Sequence, residues 1–185
     1  MTSYQEATIT FKTLFSEKMI EDRIDQLADQ IAKDYQSSDH LVIICVLNGA
    51  FIFCSDLCRA LSRKGLNKIS MDFLSVSSYG DSTVSSGNIK VNLDIANDID
   101  GKDVLIVEDI VDTGLTMSKL FDTIHAKAPN SIKLASLLYK PSRSEHKVKI
   151  DYLAFTIEDQ FVIGYGLDYA GKYRELPLVA IYDGE

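Results

Sequence analysis

VLIVEDIVDTGLT, Val104 to Thr116, decides how the chain is read. Val104 to Val107 is a short run of wholly apolar residues, as a strand covered on both faces requires. It ends in two adjacent carboxylates, Glu108 and Asp109. A third carboxylate, Asp112, follows, then Thr113, Gly114, Leu115 and Thr116, then a helix-like stretch from Met117 to about Ala126. Buried strand, acidic tip, small-residue loop and helix start form a unit that can hold a sugar by its hydroxyls. The same unit can hold a phosphate by backbone amides at the helix N-terminus. Read alone, the acidic pair also fits a solvated turn, and Asp112 fits a cap for the helix.

Working outward, Ile20, Ile24, Leu27, Ala28, Ile31 and Tyr35 recur at helical spacing with charges between them, and Ser16 is placed to cap that helix. Leu41 to Leu47 is a second continuous apolar run, and Asn48-Gly49 turns the chain. Phe51 to about Lys64 reads as a helix with Phe53, Cys54, Leu57 and Leu61 on one side and Gly65 as its stop. Ile69 to Val76 reads as a strand. Ser77 to Asn88 is polar and without apolar period. Ile89, Val91 and Leu93 alternate with polar residues, as in a half-exposed antiparallel strand. Asp100-Gly101 marks a turn, and Ile132–Leu138 and Ile150–Phe155 complete the strands. This alternation implies an α/β fold with a mainly parallel sheet flanked by helices. Ligands of such sheets bind beyond the carboxyl ends of the strands. Asn48-Gly49, the stretch from Glu108 to Thr116, and Lys140 all fall at such ends.

The bulk numbers set the frame. A length of 185 residues favours one domain with a real core, and 46% hydrophobic with 25% charged residues is ordinary for a globular protein. A net charge of -8 opposes a nucleic-acid footprint, which needs a basic face, but leaves room for a small phosphate site. Cys45, Cys54 and Cys58, odd in number and without framework spacing, read as buried thiols in a reduced, cytoplasmic setting. MTSYQEATIT has no basic region followed by an apolar one, so no signal peptide is expected. The apolar stretch Leu41–Cys54 is too short to span a bilayer. The loop signature of P-loop hydrolases is absent, and a receiver domain would carry its acidic pair near its first strand.

Val104–Thr116 resembles the phosphoribosyl-pyrophosphate binding motif of purine phosphoribosyltransferases. From about Phe15 to Tyr182 the chain resembles the bacterial hypoxanthine (hypoxanthine–guanine) phosphoribosyltransferase family. Four further segments carry the likeness: VLNGAFIF (Val46–Phe53), SSYGDSTVSSGNIKV (Ser77–Val91), Lys140 at the end of LASLLYK, and EDQFVIGYGLDYAGKYREL (Glu158–Leu176). The resemblance implies a type I phosphoribosyltransferase fold in one domain, 1–185. It also implies a small hood from about 1–15 and 158–185 and a flexible loop over about 77–88.

The same resemblance implies roles. Glu108 and Asp109 would hold ribose, Thr113, Gly114, Leu115 and Thr116 the 5'-phosphate, and Asp112 would take the purine N7 proton. Leu47, Asn48, Gly49, Ser78, Tyr79 and Arg174 would meet pyrophosphate; where many relatives carry lysine, this chain has Asn48, which brings no cation. Lys140 would contact the purine 6-oxo group. Phe161 would stack on the base, the Val162 backbone would read its edge, and Asp168 would lie beside it. Mg2+ would be held by Glu108, Asp109 and Asp168. The implied reaction is 6-oxopurine plus phosphoribosyl pyrophosphate giving a nucleoside 5'-monophosphate and pyrophosphate. The implied assembly is a dimer or tetramer, for which the long N-terminal helices could serve. Two competing readings are a regulatory relative that binds the donor without purine turnover, and an adenine or orotate enzyme. Lys140 and Phe161-Val162 favour a 6-oxopurine.

Overall fold

Alternation along the apolar strands sorts the chain onto the two faces of one sheet. The computed structural model describes residues 11–78 and 89–182; Tyr79, most of the expected loop, and residues 1–10 and 183–185 lie outside the described residues. Along the chain run β1 (Lys12–Phe15), α1 (Glu17–Asp34), β2 (Leu41–Leu47), α2 (Phe51–Arg63), β3 (Ile69–Ser78), β4 (Ile89–Leu93) and β5 (Asp103–Val111). Then follow α3 (Leu115–His125), β6 (Ser131–Tyr139), a short 3-10 turn (Pro141–Arg143), β7 (Tyr152–Thr156), β8 (Val162–Ile163) and β9 (Val179–Ile181).

Among the described residues, six strands form the main sheet in the order β4-β3-β2-β5-β6-β7. All its neighbouring pairs are parallel except β3 with β4. In β2 and β5, Ile43, Cys45, Leu105 and Val107 pack with α1 and α2, while Val42, Ile44, Val104 and Ile106 pack with α3. Both faces are therefore buried, which is why Leu41–Leu47 and the Val104–Val107 part of β5 are apolar at every position. From β2 the chain passes through α2 to β3 on one side; from β5 it passes through α3 to β6 on the other. The winding reverses between β2 and β5, and the crevice beyond their carboxyl ends is where such sheets bind ligands.

Helix ends follow local chemistry. The Ser16 side chain accepts from the Met19 N–H, as an N-cap does, and Gly65, at φ +87°, ends the α2 region in a conformation that costs other residues strain. A second sheet, β1-β9-β8, joins the two ends of the described chain.

Several details differ from the sequence reading. Strands β1, β8 and β9 were not anticipated, because two to four residues are too few to show a period. β5 runs on to Val111, since β6 continues to pair with it through Val111↔Tyr139 after the apolar run has ended. α3 begins at Leu115, two residues before Met117. β4 is antiparallel as expected, but Val91 and Leu93 are 39% and 46% exposed, and Phe51, Met71 and Phe73 are exposed too. No helix of the described residues is long and apolar enough to cross a membrane.

Candidate active site

β5 stops pairing with β2 at Cys45↔Val107 but continues beside β6. Glu108 and Asp109 thus lie at the mouth of the crevice while still in a strand. Among the described residues, Glu108 Oε2 is buried with no hydrogen-bond partner. Burial, and next the Asp109 charge beside it, pushes the Glu108 carboxyl well above the usual carboxylate range. Burial also raises Asp109, whose Oδ1 accepts the Ile110 N–H at 2.8 Å.

The turn after β2 is tight against this pair. Leu47–Asn48 is a cis peptide. A Cβ on Gly49 would lie 1.5 Å from Asp109 Oδ2, and one on Gly166 would lie 2.0 Å from the Gly49 carbonyl oxygen. Three segments distant in sequence therefore meet with no room for side chains between them.

The loop from Asp112 to Thr116 is shaped by Gly114, the N-cap of α3, at φ +83°. Asp112 is not the cap, which removes that reading of it. No side chain caps α3, so its first turn stays open; the Leu115 N–H reaches Thr113 Oγ1 at 3.4 Å. The Thr113 carbonyl accepts from the N–H groups of Glu145 and His146, and a Cβ on Gly114 would meet the His146 carbonyl oxygen at 2.3 Å. Asp112, Thr113, Gly114 and Thr116 help to line a cavity of about 80 Å³. Its floor of amides and hydroxyls at a helix N-terminus suits an anion.

Asp112 Oδ1 accepts from Arg143 Nε at 2.9 Å. Arg143 Nη1 also lies 3.6 Å from Asp159, and Asp159 lies 3.4 Å from the Lys140 Nζ. Lys140, just past β6, is buried, with its N–H on the Val111 carbonyl. Phe161 is 53% exposed and meets Tyr169 and Tyr182 edge-on, while those two stack on each other at 4.4 Å. Val162 is buried in β8 opposite Ile181.

Asp168 and Arg174 form an ion pair at 2.7 Å. Asp168 also accepts the Gly171 N–H, and Arg174 donates to the Gly166 carbonyl. Arg174, Leu47 and Asn48 line one open groove of about 570 Å³ with Phe51, Phe73 and Leu93. Ser78 ends β3. Among the described residues no three His, Cys, Asp or Glu side chains converge as a metal cage. A larger cleft of about 660 Å³ between α1 and α2 holds none of the candidate residues.

Sequence reasoning missed Arg143, Asp159, Tyr169 and Tyr182 as parts of this region. Arg143 follows Lys140 by three residues, but an arginine in a polar loop carries no signal of its own. The assembled crevice offers an anion cradle, a carboxylate pair, an acid held by a guanidinium, and an open aromatic face with a buried lysine.

Residues 11–170 match the family described as phosphoribosyl transferase domain. The chain is 45% identical over 166 residues to the hypoxanthine-guanine phosphoribosyltransferase of Dictyostelium discoideum, covering 90% of this chain and 92% of that one. It is 42% identical to the hypoxanthine-guanine phosphoribosyltransferase of Bacillus subtilis, covering 92% of each. A solved structure of Trypanosoma cruzi hypoxanthine phosphoribosyl transferase superposes with a TM-score of 0.88 at 41% identity, covering 98% of this chain and 94% of that one.

Proposed function

The chain belongs to the phosphoribosyl transferase domain family, and from that premise we propose that it is a purine-salvage enzyme. It transfers the 5-phosphoribosyl group from phosphoribosyl pyrophosphate to N9 of hypoxanthine, and of guanine, giving IMP or GMP and pyrophosphate. The carrying observation is the meeting, at one switch point, of the α3 anion cradle with the Glu108-Asp109 pair and Asp112. The fold is the type I phosphoribosyltransferase fold.

The roles of the residues follow from their chemistry. The open first turn of α3, with Thr113 and Thr116, receives the 5'-phosphate, and Gly114 and Leu115 bring the backbone to it. Glu108 and Asp109 accept from the ribose hydroxyls, and a carboxylate charge at this pair favours the cationic sugar of the transition state. Asp112 accepts the N7 proton as N9 attacks the anomeric carbon. Lys140 donates to the 6-oxo oxygen, Phe161 stacks on the ring, the Val162 backbone reads its edge, and Asp168 lies beside it. Leu47, Asn48, Gly49 and Arg174 receive pyrophosphate, with Ser78 and Tyr79 closing over it as a lid that excludes water. Residues of β1, β8 and β9 form the hood.

Mg2+ fits the site: Glu108 Oε2 is an orphaned hard oxygen donor, and Asp109 and Asp168 supply others. Magnesium is commonly held by one or two carboxylates together with substrate phosphates, so a complete protein cage is not required. The ion would neutralise the departing pyrophosphate. The enzyme works in the cytoplasm as a homo-oligomer. α1 turns its apolar stripe into the core, so the exposed apolar face on α2, β3 and β4 is the better candidate interface.

A base panel tests this reading. With Mg2+ and the donor, hypoxanthine and guanine give nucleotide and adenine and orotate do not. Donor binding without turnover of any base would favour the regulatory alternative instead.

A further inference from the structure

Four charged groups of alternating sign run across the purine end of the crevice: Lys140, Asp159, Arg143 and Asp112. Their links are 3.4 Å, 3.6 Å and 2.9 Å. The outer two are the groups assigned above to the purine 6-oxo oxygen and N7. Those atoms are neighbours on one edge of the ring. An ammonium and a carboxylate that must converge on adjacent atoms attract each other, and left to themselves they would pair across the space the purine needs. No direct Lys140–Asp112 pair is present among the described residues. Each instead has its own partner, and the two partners face one another.

We propose that Arg143 and Asp159 are positioning residues, an ion-pair bridge that holds Lys140 and Asp112 apart and aimed at the two purine atoms. The proposal rests on the transferase reading above. Arg143 and Asp159 touch neither substrate in this scheme. Their side chains are 46% and 52% exposed in the open site, where such pairs are weak, and they strengthen when the purine excludes water. Asp159 serves both cations at once. When Lys140 turns to the 6-oxo oxygen, Asp159 keeps Arg143 in place, and Arg143 keeps the Asp112 carboxylate oriented.

Steady-state kinetics on Arg143→Gln, Asp159→Asn and the double variant, with Arg143→Lys as the conservative control, tests the bridge. Each single change is expected to lower kcat/KM for hypoxanthine on the order of tenfold, while the donor KM stays at the wild-type value. The double variant is expected to be no worse than the poorer single, because either change breaks the same bridge. Arg143→Lys, which keeps one charged donor, recovers most of the loss. Both side chains are half-exposed, so melting temperatures stay level and report that every variant is folded. Wild-type enzyme is assayed alongside. A wild type that turns over no purine overturns the transferase reading and the bridge with it. An active wild type with unaffected single variants, or with losses that multiply in the double, overturns the bridge alone.

Discussion

Gly49 and Asp109 fix each other's position, and the crevice depends on both. A methyl group at residue 49 would overlap the Asp109 carboxylate, so Gly49→Ala must displace it. The expected result is weaker donor binding, by tenfold or more on the order of the about 1–3 kcal/mol that overpacking costs; calorimetric titration with the donor measures it. Asp112→Asn keeps the shape but not the basicity, and kcat is expected to fall about a hundredfold to ten-thousandfold. Glu108 gives a pH signature. Burial holds its folded value above the ordinary 4.5, so its contribution to stability is full below that pH and is lost as pH rises through the folded value. Glu108→Gln removes the loss. At pH 7 the variant is expected to melt above wild type, with the difference closing toward pH 4. Melting curves that differ equally at every pH would rule this out. Glu108, Asp109 and Asp112 were visible in the sequence because they share one short motif. Arg143 and Asp159 were not, because their meaning lies in contacts spanning 31 and 16 residues of chain, Arg143 to Asp112 and to Asp159.

Elements were legible wherever one period ran long enough. β2 matches its apolar run residue for residue, and α1 follows the stripe from Ile20 to Ile31 behind the Ser16 cap. The apolar run Val104–Val107 understates β5, because it ends at the first charge, whereas a strand continues as long as a neighbour pairs with it. β8 and β9 are set by tertiary pairing, which a single sequence does not display. That pairing matters, since the Tyr182 N–H on the Phe161 carbonyl ties the two strands beneath the aromatic cluster. Phe161→Ala is expected to raise the purine KM and leave the donor KM unchanged, as initial rates at varied hypoxanthine and varied donor would display. A rise in both would mean that the cluster supports the whole crevice rather than the base alone.

At the scale of the molecule, the order β4-β3-β2-β5-β6-β7 places two loops from sequence-distant strands side by side, and the site follows from that reversal. The alternation of strands and helices conveyed the fold class; the strand order required the structure. The exposed Phe51, Met71, Phe73, Val91 and Leu93 form the apolar surface proposed above as the interface between copies of the chain. Phe73→Glu with Leu93→Lys is expected to yield a monomer by sedimentation velocity while the wild type sediments as a larger species. The central claim is that the crevice transfers phosphoribose to a purine instead of merely binding the donor. Pyrophosphate release from phosphoribosyl pyrophosphate and Mg2+, measured with and without hypoxanthine, tests it most directly. The account predicts release that depends on hypoxanthine, with one IMP formed per pyrophosphate. Release at the same rate without the base, or none when hypoxanthine is added, would contradict it.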